Sequence, residues 1–170
     1  GLRSNCIDHL FQGQLSKGLI VDIMPILTAN RFEFKPYRLS KIEVSHDGKT
    51  LCTRPFEPKF AQENYLRSYL SLYEATGELE TNISHGISYD DYAGGYALWA
   101  FDFNPDQGSD EGYFHRIKSG QLRVELQFAE TLTETVNVIL YAKFDNTLEI
   151  NSLREVILVG YGRFLFVFEW

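Results

Sequence analysis

Long apolar runs are missing from this chain of 170 residues: no uncharged hydrophobic stretch reaches 18 residues. A membrane-crossing helix needs about 20, so none is expected. Cysteine is scarce, with only Cys6 and Cys52. Their spacing matches no zinc motif, and two thiols cannot build a disulfide scaffold. Free thiols in a reducing compartment are expected, and a single disulfide stays open. Gly1-Leu2-Arg3-Ser4 lacks the apolar core of a signal peptide and has no initiator Met. Basic residues are outnumbered: 16 Lys and Arg stand against 23 Asp and Glu, a net charge of -7. No basic cluster exceeds two residues. Phosphate neutralisation needs clustered cations, so direct nucleic-acid binding is not expected.

What is present is apolar and aromatic. Hydrophobic residues make up 44% of the chain and aromatics 15%, which excludes intrinsic disorder. A compact 19.6 kDa chain exposes about 8,500 Å² and buries about 70% of its unfolded surface. One domain covering 1–170 is expected. Thirteen Phe, ten Tyr and two Trp mostly fill a core, and the excess favours an exposed contact patch.

The local patterns are mainly those of strands. From Gln121 to Phe128, Leu122, Val124, Leu126 and Phe128 alternate with polar residues, the two-residue period of a half-buried strand. Val136–Phe144, Tyr96–Phe103, Leu19–Met24 and Leu39–Ser45 give further strands, and the apolar tail adds 156–159 and 164–168. Asp47-Gly48 predicts a type I′ hairpin turn. Pro36, Pro55 and Pro58 interrupt the ladders. One inserted helix is expected over about 61–76, where Tyr65, Leu66, Tyr69, Leu70, Leu72 and Tyr73 recur at helical steps and Gly77 supplies a left-handed stop. A shorter helix over Tyr89–Ala93 carries Ser88 as N-cap with Asp91 three residues on. The loops 77–88 and 104–120 are long and polar. Many short strands, one inserted helix and long loops indicate an antiparallel sandwich or barrel.

No constellation for chemistry emerges. Asp102-x-Asn104-x-Asp106 starts like a calcium loop, but Gln107 and Tyr113 stand where Gly and Glu are required. His9, His46, His85 and His115 are not paired at ligand spacing and read as surface residues. There is no Gly-x-Ser-x-Gly elbow, Walker motif or GxGxxG. The adjacent pairs Asp90-Asp91 and Asp110-Glu111 read as cap and loop residues rather than an acid–base dyad. Gly160-Tyr161-Gly162-Arg163-Phe164 departs from the RNA-binding RNP1 pattern, because Val159 precedes it and Arg163 intervenes. No catalytic, cofactor-binding or metal residue is assigned, and no enzyme is expected.

An ordered set of segments does carry a resemblance. These are Phe11-Gln12-Gly13-Gln14-Leu15-Ser16-Lys17-Gly18-Leu19-Ile20-Val21, Phe32-Glu33-Phe34-Lys35-Pro36-Tyr37 and Tyr65-Leu66-Arg67-Ser68-Tyr69. Asp91-Tyr92-Ala93-Gly94-Gly95-Tyr96, Phe101-Asp102-Phe103-Asn104-Pro105-Asp106, Phe114-His115-Arg116-Ile117 and the strands 119–128 and 135–142 follow. From about Leu10 to Ile150 the chain resembles the C-terminal jelly roll of the double-jelly-roll capsid proteins of Polinton/Maverick elements and adintovirus-like viruses. The resemblance implies an antiparallel jelly-roll β-sandwich and a structural role in a virion. It further implies self-association, as a trimer, or assembly with other capsid subunits, and no catalytic residues carry over. A full subunit would need an N-terminal jelly roll, for which 170 residues leave no room. An excised domain, a gene remnant or a host-domesticated protein-binding copy is therefore expected. A carbohydrate-binding sandwich with exposed Tyr or Trp is a further alternative. The tail 151–170 is more aromatic than the family's usual ending and is expected to add strands or to dock on a neighbouring subunit.

Overall fold

The structure is a computed structural model. It describes all residues except 1–2, 9, 11, 28–29, 31, 52–53, 105–107, 109–115, 117, 161–162 and 170. Cys52, His9, His115, Asp106, the Asp110-Glu111 pair and the Tyr161-Gly162 turn lie outside the described residues.

Eleven strands and two helices are described. The strands are β1 (Ser4–Ile7), β2 (Gln12–Gln14), β3 (Gly18–Pro25), β4 (Leu39–His46), β5 (Lys49–Thr50), β6 (Trp99–Asp102), β7 (Ser119–Phe128), β8 (Val136–Lys143), β9 (Asn146–Ile150), β10 (Val156–Gly160) and β11 (Arg163–Glu169). They form antiparallel sheets. One sheet runs β1-β7-β4-β5, with β2 also on β7; another runs β11-β8-β3-β6; among the described residues β9 and β10 pair only with each other.

The alternation read in the sequence decides which side chains meet. Leu19, Val21 and Ile23 of β3, Val138 and Leu140 of β8, and Trp99 and Phe101 of β6 point inward from one sheet. Ile42 and Val44 of β4 and Leu122, Val124 and Leu126 of β7 point inward from the other. All are buried and belong to one core cluster. Full burial of each such side chain contributes about 1.5–3 kcal/mol, so this shared core is the main source of stability. The pairings are nested: β3 lies antiparallel to β8 in one sheet and β4 antiparallel to β7 in the other. The β3–β4 and β7–β8 connections thus carry one long ribbon from the first sheet into the second.

The turn and cap chemistry follows the residues. Asp47 (φ 47°) and Gly48 (φ 76°) are both left-handed and join β4 to β5, as a type I′ turn requires. Helix α2 (Tyr89–Gly95) starts with a full capping box between Ser88 and Asp91, and continues through Gly94-Gly95. Helix α1 (Leu66–Ala75) ends at Gly77, whose amide bonds to Glu74 O while that of Glu78 bonds to Tyr73 O, the Schellman pattern.

Three expectations need correction. The longer helix begins at Leu66 rather than 61, and the shorter one, expected over Tyr89–Ala93, runs on to Gly95. Phe60–Gln62 form a separate 3-10 turn, and Glu63 adopts a left-handed φ of 54° that stops it from running into α1. The strand expected from Tyr96 starts at Trp99, because Tyr96 N is held by Asp91 O and Ala97 N by Phe34 O. The tail does supply two strands, but they do not pair together: β10 returns on β9, and β11 on β8.

Candidate interaction surface

Most of the described aromatics are packed inside, with Phe32 and Tyr96 exposed. Phe60, Tyr65, Tyr89 and Tyr92 stack near the two helices, with Tyr65 and Tyr89 centroids 4.3 Å apart. The Tyr92 hydroxyl donates to Leu98 O, and that of Tyr69 to Ile87 O. Burial pushes the Tyr92 phenol well above its usual range. Trp99 lies fully buried in the core, so its indole offers no stacking platform to a sugar. The large exposed hydrophobic side chains are mostly aliphatic, with Phe32 and Tyr96 the aromatics among those described.

Period two in β3 and β8 turns Ile20, Asp22, Met24, Ile139 and Tyr141 to the sheet's other face, although Ile20 still packs against the core cluster. In register, Ile20 lies beside Tyr141 and then Leu165, and Asp22 beside Ile139 and then Val167. Leu165 and Val167 are 63% and 55% exposed. The outer face of a half-buried antiparallel sheet is ordinarily polar; here it is an apolar band around a single carboxylate. Asp22 is 8% exposed, and among the described residues its Oδ1 has no hydrogen-bond partner. Burial alone pushes its carboxyl up to about 7.

The β9–β10 hairpin forms the connection between the paired strands β8 and β11. Its tip is held by Asn151, whose Oδ1 accepts from the amides of Leu153 and Glu155. Ile150 and Val156 are cross-strand partners, and both are exposed, as are Ile157 and Leu153. A two-stranded hairpin is marginally stable at best on its own, and exposed apolar groups on one add nothing until something covers them. The total accessible surface is 10,379 Å², about a fifth above the roughly 8,500 Å² of a compact monomer of this mass.

Other features are structural. A groove of about 570 Å³ runs between α1 and β6, past Phe56, Leu66, Leu70 and Asp102. Its polar groups are engaged locally: Arg67 sits over the Phe56 ring and donates to the carbonyls of Arg54 and Pro55. Asp102 accepts from Asn104 N, a turn rather than an ion ligand. His46 and His85, expected at the surface, are both part-buried. His46 Nε2 lies 3.2 Å from Ser119 O; His85 Nδ1 accepts from Ile87 N, and its ring packs 4.0 Å from Tyr73. Burial holds His85 below the usual imidazole range. Asp91 is occupied by the α2 cap. Buried Lys17 pairs with Asp145 at 2.8 Å, at the junction of β3, β6 and β8. Among the described residues no three His, Cys, Asp or Glu side chains gather as metal ligands, and no helix is long and apolar enough to cross a membrane.

Comparison with known proteins gives little. No family model matches the chain, and no solved structure matches it. It is similar to an uncharacterized protein of Caenorhabditis elegans, with 26% identity over 130 residues. That stretch is 75% of this chain and 31% of the worm protein, so the chain spans about a third of its relative's length.

Proposed function

We propose that this chain is a capsid-type structural domain, folded as a jelly roll, whose work is to associate with copies of itself in a virion shell. The apolar outer face of β11-β8-β3, together with the exposed hairpin, is the observation that carries the reading. The nested pairing of β3 with β8 and β4 with β7 is how a jelly roll wraps one ribbon into two sheets. A stiff double layer with such a face suits contact between subunits. It also fits the resemblance to Polinton/Maverick capsid proteins borne by residues 10–150.

Light scattering after size-exclusion chromatography, across a concentration series, tests this. The expected result is a mass that rises above 19.6 kDa with concentration. A strict monomer at high micromolar concentration contradicts it. So does a chain that captures one particular foreign protein and forms no oligomer, the behaviour of a domesticated binding domain.

A further inference from the structure

Strand β11 ends its sheet. It pairs with β8 along one edge, and among the described residues no strand pairs with the other. An open edge presents a row of unpaired N–H and C=O groups, and proteins commonly blunt it with charge, proline or a bulge. Between its ends β11 has none of these: it reads Phe164-Leu165-Phe166-Val167-Phe168.

The register fixes which backbone groups face outward. At the two ends of β8, the carbonyls of Thr135 and Lys143 accept from the amides of Ile26 and Lys17, on the β3 side. Backbone direction alternates along a strand, so Val138, Leu140 and Ala142 face β11. Their partners are Phe168, Phe166 and Phe164. Residues 163, 165, 167 and 169 therefore turn their N–H and C=O groups to the open edge.

We propose that this edge binds the same edge of a second copy, antiparallel and two-fold symmetric, centred on Phe166. This rests on the self-association reading and specifies one of its contacts. Only registers that place outward residues opposite outward residues can form the ladder. Among these, centring on Phe166 sets Arg163 opposite Glu169 of the second copy at both ends. It also sets Leu165 opposite Val167, so the exposed side chains of each cover those of the other. Centring on Leu165 or Val167 loses both charge pairs. The contact is isologous and continues each four-stranded sheet into that of its neighbour. It links two subunits whatever other contacts build a larger assembly.

Charge reversal tests the register. Arg163→Glu alone places like charges opposite each other at both ends, and so does Glu169→Arg alone. Each single variant is expected to self-associate about tenfold more weakly than the parent, from two cross-strand charge pairs. An equimolar mixture of the two restores an opposite pair at each end, and is expected to associate about as tightly as the parent. Sedimentation velocity reads all three, with circular dichroism showing that each variant is folded. Single variants that associate like the parent, or a mixture no tighter than its components, overturn the edge pairing while leaving self-association standing. A parent that never associates overturns both.

Discussion

Replacing Asp22 with Asn should remove a pH dependence from folding. Asp22 stands on β3 opposite Ile139, between Ile20 and Met24 along its strand, and its carboxyl is raised from 3.8 to about 7 by burial. The folded state therefore binds this proton more tightly than the unfolded chain. Stability from this group is complete below about pH 4, falls as pH rises through 7, and is constant above that. A shift of about three pKa units corresponds to at most about 4 kcal/mol. Asp22→Asn keeps the shape, leaves the same Oδ1 position unpartnered, and abolishes the titration. Its stability relative to the parent should be near zero at pH 4 and should grow to as much as about 4 kcal/mol in the variant's favour at pH 8. Urea unfolding followed by fluorescence of the buried Trp99, at several pH values and at low protein concentration, gives this difference by linear extrapolation. Comparing variant with parent cancels every other titrating group, such as Glu43, whose pKa is lowered by its hydrogen bonds from Lys41 and Thr50. A difference that does not change between pH 4 and 8 refutes the reasoning.

Two further perturbations probe the frame that holds this face. Asp145→Asn removes the charge of the carboxylate that lies 2.8 Å from the buried Lys17 ammonium; a loss of about 1.5–3 kcal/mol, that of a charged hydrogen bond, is expected in chemical denaturation. Gly120→Ala would set a methyl group on the ends of the His46 and Asp47 side chains, which must swing away, and would hold an alanine at a φ of 156°. A loss of about 1–3 kcal/mol is expected from overpacking, read as a lower melting temperature.

Much of the frame was legible because it depends on local rules. Alternation placed β3, β4, β7 and β8, the Asp47-Gly48 pair fixed a hairpin, and Ser88 with Asp91 marked a helix start. Each of these is decided by a side chain or backbone angle within a few residues. The failures lie where distant backbone decides. The short strands β1 and β2 carry no periodic signal and exist because β7 offers them an edge. The Tyr96–Leu98 segment looks like strand, but Asp91 and Phe34 claim the backbone amides of Tyr96 and Ala97. The interaction surface was half visible. The aromatic excess pointed to an exposed patch, but most of the described rings fold inward, and the apolar band is aliphatic apart from Tyr141. The clearer signal was the tail, where apolar residues fill both faces of β11 and leave no polar side for water. Asp22 was missed for the opposite reason. On parity alone it sits on an outward face where a lone carboxylate should be solvated, and only the register shows its apolar surroundings.

The central claim is that the band around Asp22, the β9–β10 hairpin and the β11 edge are covered by other copies of the chain. Hydrogen–deuterium exchange at low and high protein concentration tests it most directly. The account predicts that amides in 146–169 become protected as concentration rises, while those of β4 and β7, already deep in the core, stay unchanged. Equal exchange in 146–169 at both concentrations, from a chain that has demonstrably oligomerised, would place the contact elsewhere and contradict it.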